Sequence, residues 1–452
     1  MKTPQVEFYA PEVESLSKEE LRALQFRKLC RLLAEVYARN PFYQEKFSRA
    51  GVSLEEIRTP EDIRRLPLTT KTEVLEDIRA HPPYGKRCQV PAREIVQVVE
   101  TSGTSGQGKE AYGLTVEDCG AIFDMEACGF FWAGIRRGHV VMNTLPMHTS
   151  AAGLWYYHGL LRLGVNLFQV GPFNTKSKLD YMRRFGAEGV IGSPSYLRRL
   201  EAVAEETGVD LRRDLRVERI VVAGEPFSEK WVQDRESLWG AKLFEQYGST
   251  QRAMAWTCER GTLWEGKRGM LHGLPHRVLY EVLDRDTREP VPPGKTGELV
   301  ITPLDAQGSP LIRFATQDRV RLLPAEYCGC GRTFDGIESG TVTRYDNMLR
   351  VKGVNFWPET VDSLVLSLPE VREYRGEILI DEQGRERVLL RVEFRPEVPE
   401  GKRGAISRGL EVELREKVGV RFELSPWQGE PLFRTEVEGL HKSQRWVDRR
   451  RR

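Results

Sequence analysis

A chain of 452 residues can bury a large core and is long enough to divide into at least two domains. Its 68 basic and 66 acidic residues leave a formal net charge of +2, which removes the electrostatic case for nucleic acid as the principal partner. No stretch reaches the length of a membrane span, the charged N-terminus (Lys2, Glu7, Glu12) lacks an apolar signal core, and seven cysteines, an odd number, speak against a disulfide framework. A cytoplasmic protein with no membrane partner is expected. Arg445 and the basic tail from Arg449 to Arg452 read as a solvated end.

Leu21, Leu24, Leu29, Leu32, Leu33 and Val36 stand at helical spacing behind Ser17, Glu19 and Glu20, so the pattern predicts a capped helix over Lys18–Arg39. Short apolar runs follow at 95–99, 140–145, 165–170, 189–192, 220–223 and 243–247, separated by helical segments. Such runs predict a mostly parallel sheet covered on both faces. Val278–Leu283 and residues 297–302, joined through Asp284-Arg285-Asp286 and Pro292-Pro293-Gly294, read as antiparallel strands of a β subdomain. Beyond Arg344 the pattern changes to strands at 371–380, 388–394 and 420–424 with a helix at 406–418. The expected fold class is α/β. A large N-terminal domain, residues 1–345, has mostly parallel sheets flanked by helices plus a β subdomain, and a small mobile α+β domain spans residues 346–452.

Directly after the first apolar run stands Thr101-Ser102-Gly103-Thr104-Ser105-Gly106-Gln107-Gly108-Lys109. Glycines let backbone N–H groups approach an anion, hydroxyls add donors and lysine adds a point charge, which is the chemistry of a triphosphate cradle. Gly103 to Lys109 fits the opening of a P-loop, but Glu110 stands where that motif needs a hydroxyl, and Ala111-Tyr112-Gly113-Leu114-Thr115 does not begin a helix. A Ser/Thr/Gly loop between two strands is the better reading. Ala223-Gly224-Glu225-Pro226 and Tyr247-Gly248-Ser249-Thr250-Gln251 end successive strands, where doubly wound sheets place ligands. Arg313-Phe314-Ala315-Thr316-Gln317-Asp318 adds a carboxylate able to take both hydroxyls of a ribose.

With these segments the chain resembles the adenylate-forming superfamily and, within it, the phenylacetate–coenzyme A ligase family, over nearly its whole length. Further motifs that carry the resemblance are Gly192-Ser193-Pro194-Ser195-Tyr196, Pro310-Leu311-Ile312-Arg313-Phe314 and Cys328-Gly329-Cys330-Gly331-Arg332-Thr333. Arg344-Tyr345-Asp346-Asn347-Met348-Leu349, Lys352-Gly353-Val354-Asn355-Phe356-Trp357-Pro358 and the terminal Lys442-Ser443-Gln444-Arg445-Trp446-Val447-Asp448 complete the set. The resemblance implies ATP-dependent activation of an aryl carboxylic acid through an acyl-adenylate, then thioester formation with coenzyme A. It also implies Mg2+ as cofactor, a small-molecule acid, ATP and coenzyme A as partners, and a homodimer.

Roles follow residue by residue from the resemblance. Thr101, Ser102, Gly103, Thr104, Ser105, Gly106 and Lys109 would hold the β- and γ-phosphates. Gly224, Glu225 and Pro226 would line the adenine, with Tyr247 stacked on it and Gly248 and Ser249 at the same strand exit. Thr250 would approach the α-phosphate, and Asp318 would bind the ribose with help from Arg344. Asp346 matches the hinge of the small domain, and Lys442 matches the catalytic lysine that bridges carboxylate and α-phosphate. Where the family has glutamate in the magnesium region, Gln251 brings an amide without charge. The rival reading keeps adenylation but passes the acyl group to a carrier-protein thiol, an amine or another nucleophile. A non-enzymatic nucleotide-binding relic, marked by Gln251, is the third.

Cys328 and Cys330 lie on a glycine-rich turn, and Cys258 and His272 come from the preceding β region. Thiolates and imidazole suit tetrahedral zinc, and a closed Cys3His set would hold a structural Zn2+, with His276 in reserve. The competing reading of Cys258 is a small buried apolar residue. The acyl pocket is expected between the sheet and residues 130–160, with His148, Tyr156 and Tyr196 as candidate contacts.

Overall fold

The computed structural model describes residues 7–101, 108–149, 151–381, 383–430, 432 and 445–450. Helix Lys18–Arg39 starts as expected: the Ser17 hydroxyl accepts from the Glu20 N–H while the Glu20 side chain accepts from the Ser17 backbone. Its buried stripe of Leu29, Leu32, Leu33 and Val36 packs with Tyr43 and Phe47.

The body is built on one sheet of 12 strands. Asn166–Gln169, Val140–Asn143, Gly189–Gly192, Arg219–Ala223 and Lys242–Gly248 lie side by side and parallel. Alternate residues enter opposite faces. Ile220 and Val222 pack with Leu197 and Trp231 on one side, and Val221 packs with Ile191, Phe130 and Tyr156 on the other. Helices on both faces explain why these strands read as unbroken apolar runs.

From Lys242–Gly248 onward the pairing turns antiparallel through Met254–Thr257, Met270–Gly273, Gly336–Glu338, Phe314–Leu323, Thr296–Pro303 and Val278–Leu283. The strands expected as a β subdomain thus continue the parallel sheet. A separate hairpin, Gln97–Glu100 with Ala111–Leu114, carries the Ser/Thr/Gly loop between its arms. Strand, not helix, follows Lys109, which removes the P-loop reading.

Residues beyond 349 form their own core around Val361, Tyr374, Ile378, Leu390 and Leu414. Its sheet runs Phe422–Pro426, Glu386–Phe394, Val371–Ile380, Trp446–Asp448, antiparallel in the middle and parallel at both edges. Arg198 of the body donates to the Arg372 carbonyl at 2.6 Å and to Glu373 at 3.3 Å, and the Trp357 indole donates to the Arg344 carbonyl at 3.1 Å. Among the described residues no helix is long and apolar enough to cross a membrane.

Candidate active site

Where strand Lys242–Gly248 ends, a cavity of about 270 Å³ opens between the sheet and the helices Val116–Trp132 and Ala151–Leu163. One wall is polar. Antiparallel pairing sets Asp318 opposite Arg344. The buried Asp318 carboxylate accepts from the Tyr247 hydroxyl at 2.5 Å and from Arg344 Nη1 at 3.3 Å. Burial raises its pKa and the Arg344 charge draws it back. Arg344 also donates from Nε and Nη2 to both oxygens of Asp346, at 2.7 and 2.8 Å. Burial acts against ionisation of Asp346, yet Arg344 holds it below the usual carboxylate range.

Beside this pair stands a second polar group. Glu110, 1 % exposed, accepts from Gln251 Nε2 at 2.6 Å and from the Tyr112 hydroxyl. Lys71 Nζ lies 3.8 Å from its other oxygen. Gln251 therefore brings no charge of its own, but it fixes a neighbouring carboxylate. Thr101, Gly248, Ser249 and Thr250 line the same space.

The opposite wall is mainly apolar and aromatic: Ala151, Ala152, Trp155, Tyr156 and Met254. Gly159 lets its helix press onto Val116–Trp132, since a Cβ there would sit 2.3 Å from the Cβ of Glu126. The Trp155 indole donates to Gln97 at 2.9 Å, and the Tyr156 hydroxyl donates to Gln246. Glu126 completes this wall, and burial drives its carboxyl well above the usual range.

Arg344 also lines a second cavity of about 520 Å³, together with Gly224, Glu225, Pro226, Asp346 and Trp446. Here Glu225 accepts from the Ser195 N–H at 3.2 Å and its hydroxyl at 2.6 Å. Gly224 takes φ +86°, a conformation that costs a side-chain-bearing residue strain and turns the chain off the strand end.

Most sequence-predicted residues are brought to these two spaces. Thr101, Gly248, Ser249, Thr250, Gln251, Asp318, Arg344 and Tyr156 line the first; Gly224, Glu225, Pro226 and Asp346 line the second. Ser102, Gly103, Thr104, Ser105, Gly106 and Lys442 lie outside the described residues. Lys109 is exposed, 4.0 Å from Glu100, and lines neither cavity. Tyr247 departs from its expected stacking role: its ring is packed in the main core and its hydroxyl is committed to Asp318. His148 sits exposed in the loop before helix Ala151–Leu163. Tyr196 falls in the first turn of helix Pro194–Thr207, where it stands over Lys178 of the adjacent helix, 4.5 Å from ring centroid to Nζ. Neither residue lines the first cavity.

Lys71, Glu110, Glu126 and Gln246 were not anticipated as site residues. Glu126 had a legible signal: a carboxylate three and four residues from Phe123, Ile122, Gly129 and Phe130, hence on the buried face of its helix.

Away from the cavity, Cys258, His272, Cys328 and Cys330 converge with their ligand atoms all within 4.8 Å of one another, and all four are buried. Cys258 Sγ is 3.6 Å from Cys328 Sγ, and Cys330 Sγ is 3.6 Å from His272 Nε2. A tetrahedral zinc with bonds of about 2.0–2.3 Å needs ligand-to-ligand separations of about 3.5–3.8 Å. The two separations of 3.6 Å match that requirement, and the donor set suits that ion. Gly329 and Gly331, at φ +62° and +85°, form the turn that presents both cysteines.

The chain thus joins a parallel-to-antiparallel sheet, with a cavity at its strand ends, to a small C-terminal α+β unit. The profile of AMP-binding enzymes matches residues 30–303, that of the AMP-binding enzyme C-terminal domain matches residues 353–450, and the chain belongs to this family. Among its relatives, the phenylacetate-coenzyme A ligase of Thermus thermophilus is 34 % identical over 364 residues, 80 % of this chain and 79 % of that one. The phenylacetate-coenzyme A ligase of Pseudomonas putida is 28 % identical over 95 % of each chain. A 2-hydroxyisobutyryl-CoA ligase in the postadenylation state, in complex with 2-HIB-AMP, shares the fold at a TM-score of 0.88 with 24 % identity, covering 100 % of this chain and 94 % of that one.

Proposed function

We propose that the chain joins an aryl carboxylic acid to AMP at the expense of ATP and then passes the acyl group to the thiol of coenzyme A. The observation that carries this reading is the first cavity, where the Asp318–Arg344 pair and Thr250 face the same space as the aromatic wall of Trp155 and Tyr156. The names of the phenylacetate-coenzyme A ligases support the choice of acid and acceptor.

In this reading a carboxylate oxygen of the acid attacks the α-phosphorus, and the bond to the bridging oxygen breaks so that pyrophosphate leaves with its electron pair. The thiolate then attacks the acyl carbon and AMP departs. Asp318 takes the ribose hydroxyls, its carboxylate aimed by Tyr247 and Arg344. The adenine lies along Gly224, Glu225 and Pro226, the β- and γ-phosphates on the Thr101–Lys109 loop, and the α-phosphate by Thr250. Lys442 supplies the cation between two anions. The small domain begins after residue 345, and Asp346 is the pivot about which it turns between the two half-reactions.

Magnesium would screen the triphosphate, and Glu110 is the residue that would hold it, since its carboxylate lines the cavity and Gln251 orients it. Cys258, His272, Cys328 and Cys330 would hold a structural Zn2+.

Pyrophosphate exchange with a panel of aryl acids tests the first step, and AMP release with and without coenzyme A tests the acceptor. Exchange with no acid, or acyl release indifferent to coenzyme A, overturns the proposal. Two variants sharpen it. Asp318→Asn should raise the KM for ATP about 10- to 100-fold, the value of losing hydrogen bonds to a charged group. The KM for the acid should move far less; parallel shifts would argue for general damage. Glu110→Gln should raise the magnesium needed for half-maximal nucleotide binding about 10-fold, read by calorimetric titration. An unchanged magnesium midpoint would remove Glu110 from that role.

A further inference from the structure

We propose that Glu126 selects the acid, and that the substrate is an aryl acid carrying a hydrogen-bond donor, a hydroxyl or an amino group, on its ring remote from the carboxylate. The inference rests on the cavity being the acyl-adenylate site.

Glu126 is 1 % exposed, yet it lines the cavity and its Oε2 has no hydrogen-bond partner among the described residues. Buried polar atoms are nearly always paired, so an orphan at the wall of a binding cavity marks the place of a ligand group. Among the described residues, no side chain of the wall supplies the missing donor. The nearby Tyr156 hydroxyl is already committed to Gln246, and the Trp155 indole to Gln97. Nothing basic offsets the carboxyl either: burial is the one cause of its raised pKa.

Depth places the group at the far end of the acid. The Tyr156 hydroxyl, which interacts electrostatically with Glu126, donates to Gln246, and Gln246 lies two residues before Gly248 on an extended strand, about 7 Å along it from the exit that leads to Thr250. An acid with its carboxylate at the strand exit therefore points its ring into the wall of Trp155, Tyr156 and Met254. Held neutral by burial, the Glu126 carboxyl keeps an accepting oxygen, and a phenol or an aniline brings a donor to it without bringing a formal charge into that apolar wall.

The test compares phenylacetate, 4-hydroxyphenylacetate and 4-aminophenylacetate in pyrophosphate exchange, for the wild type and for Glu126→Leu and Glu126→Gln. Binding of each acid is read separately by quenching of tryptophan fluorescence. The wild type should favour at least one donor-bearing acid over phenylacetate by about 10-fold or more in kcat/KM. The two donor arms separate a hydroxyl from an amino substrate. Glu126→Leu should abolish that preference in both exchange and binding, and Glu126→Gln, which keeps an acceptor oxygen, should retain part of it. A wild-type preference for phenylacetate, or a ratio that survives in both variants, overturns the inference while leaving the ligase reading in place. Absence of exchange with every acid overturns both. Should the leucine variant fail to fold, the glutamine variant and the wild-type ratios still decide.

Discussion

Replacing Lys442 by alanine should cut pyrophosphate exchange at least about 100-fold, the scale on which one preorganised electrostatic contact acts. The acid's carboxylate and the α-phosphate repel as they meet, and in a cavity walled by Trp155, Tyr156 and Met254 water screens that repulsion poorly. A cation delivered to the gap removes it. Position 442 is three residues from Arg445, whose Nε donates to Glu373 at 2.8 Å and whose Nη1 lies 3.4 Å from Asp362. Arg445 in turn leads into strand Trp446–Asp448, paired with Val371–Ile380. The deciding readout is the split between half-reactions. Exchange should collapse while thioester formation from supplied acyl-adenylate suffers much less; equal loss in both would end the assignment.

Stripping zinc should have the second large effect, on stability. Purified protein should carry about one zinc per chain, and Cys330→Ser should both lose the metal and lower stability by at least about 3 kcal/mol. The four donors join three separate segments: Cys258 follows strand Met254–Thr257, His272 lies on its neighbour Met270–Gly273, and Cys328 and Cys330 lie between Phe314–Leu323 and Gly336–Glu338. Three thiolates around a divalent ion leave one net negative charge. Arg332, fully buried, would help to offset it, with Nη1 3.5 Å from Cys330 Sγ, while the same guanidinium also faces Glu14 at 3.2 Å and Glu259 at 3.8 Å. A metal-free preparation whose melting is unmoved by chelator or by the serine variant would sink this prediction.

What could be read from the chain alone was whatever depends on local pattern. Alternating apolar runs announced the parallel strands because both faces of those strands are covered, and Ser17 with Glu20 announced a helix start because capping is a contact three residues long. The strand exits at Gly224 and Thr250 were legible for the same reason, and each lines a cavity. Continuity of the antiparallel strands with the parallel ones was not, because the pairing of Lys242–Gly248 with Met254–Thr257 is a tertiary choice. Glu110 illustrates the limit well. It was read only as the residue that breaks the P-loop pattern, and the fold places it under the amide of Gln251, 141 positions away. Tyr247 was assigned to the base by resemblance, whereas its neighbours in space claim its ring for the core.

The division of labour between strands and helices in the first cavity has an evolutionary corollary. The groups suited to the nucleotide come from strand ends and loops, whereas Glu126, Trp155 and Tyr156 come from two helices that touch through Gly159. Under the proposed acyl site, mutations on those helices should retune the choice of acid and leave the nucleotide-facing groups in place. Lineages built on this plan should therefore drift readily among acids of similar size, and laboratory selection for a new acid should find its first solutions at these three positions.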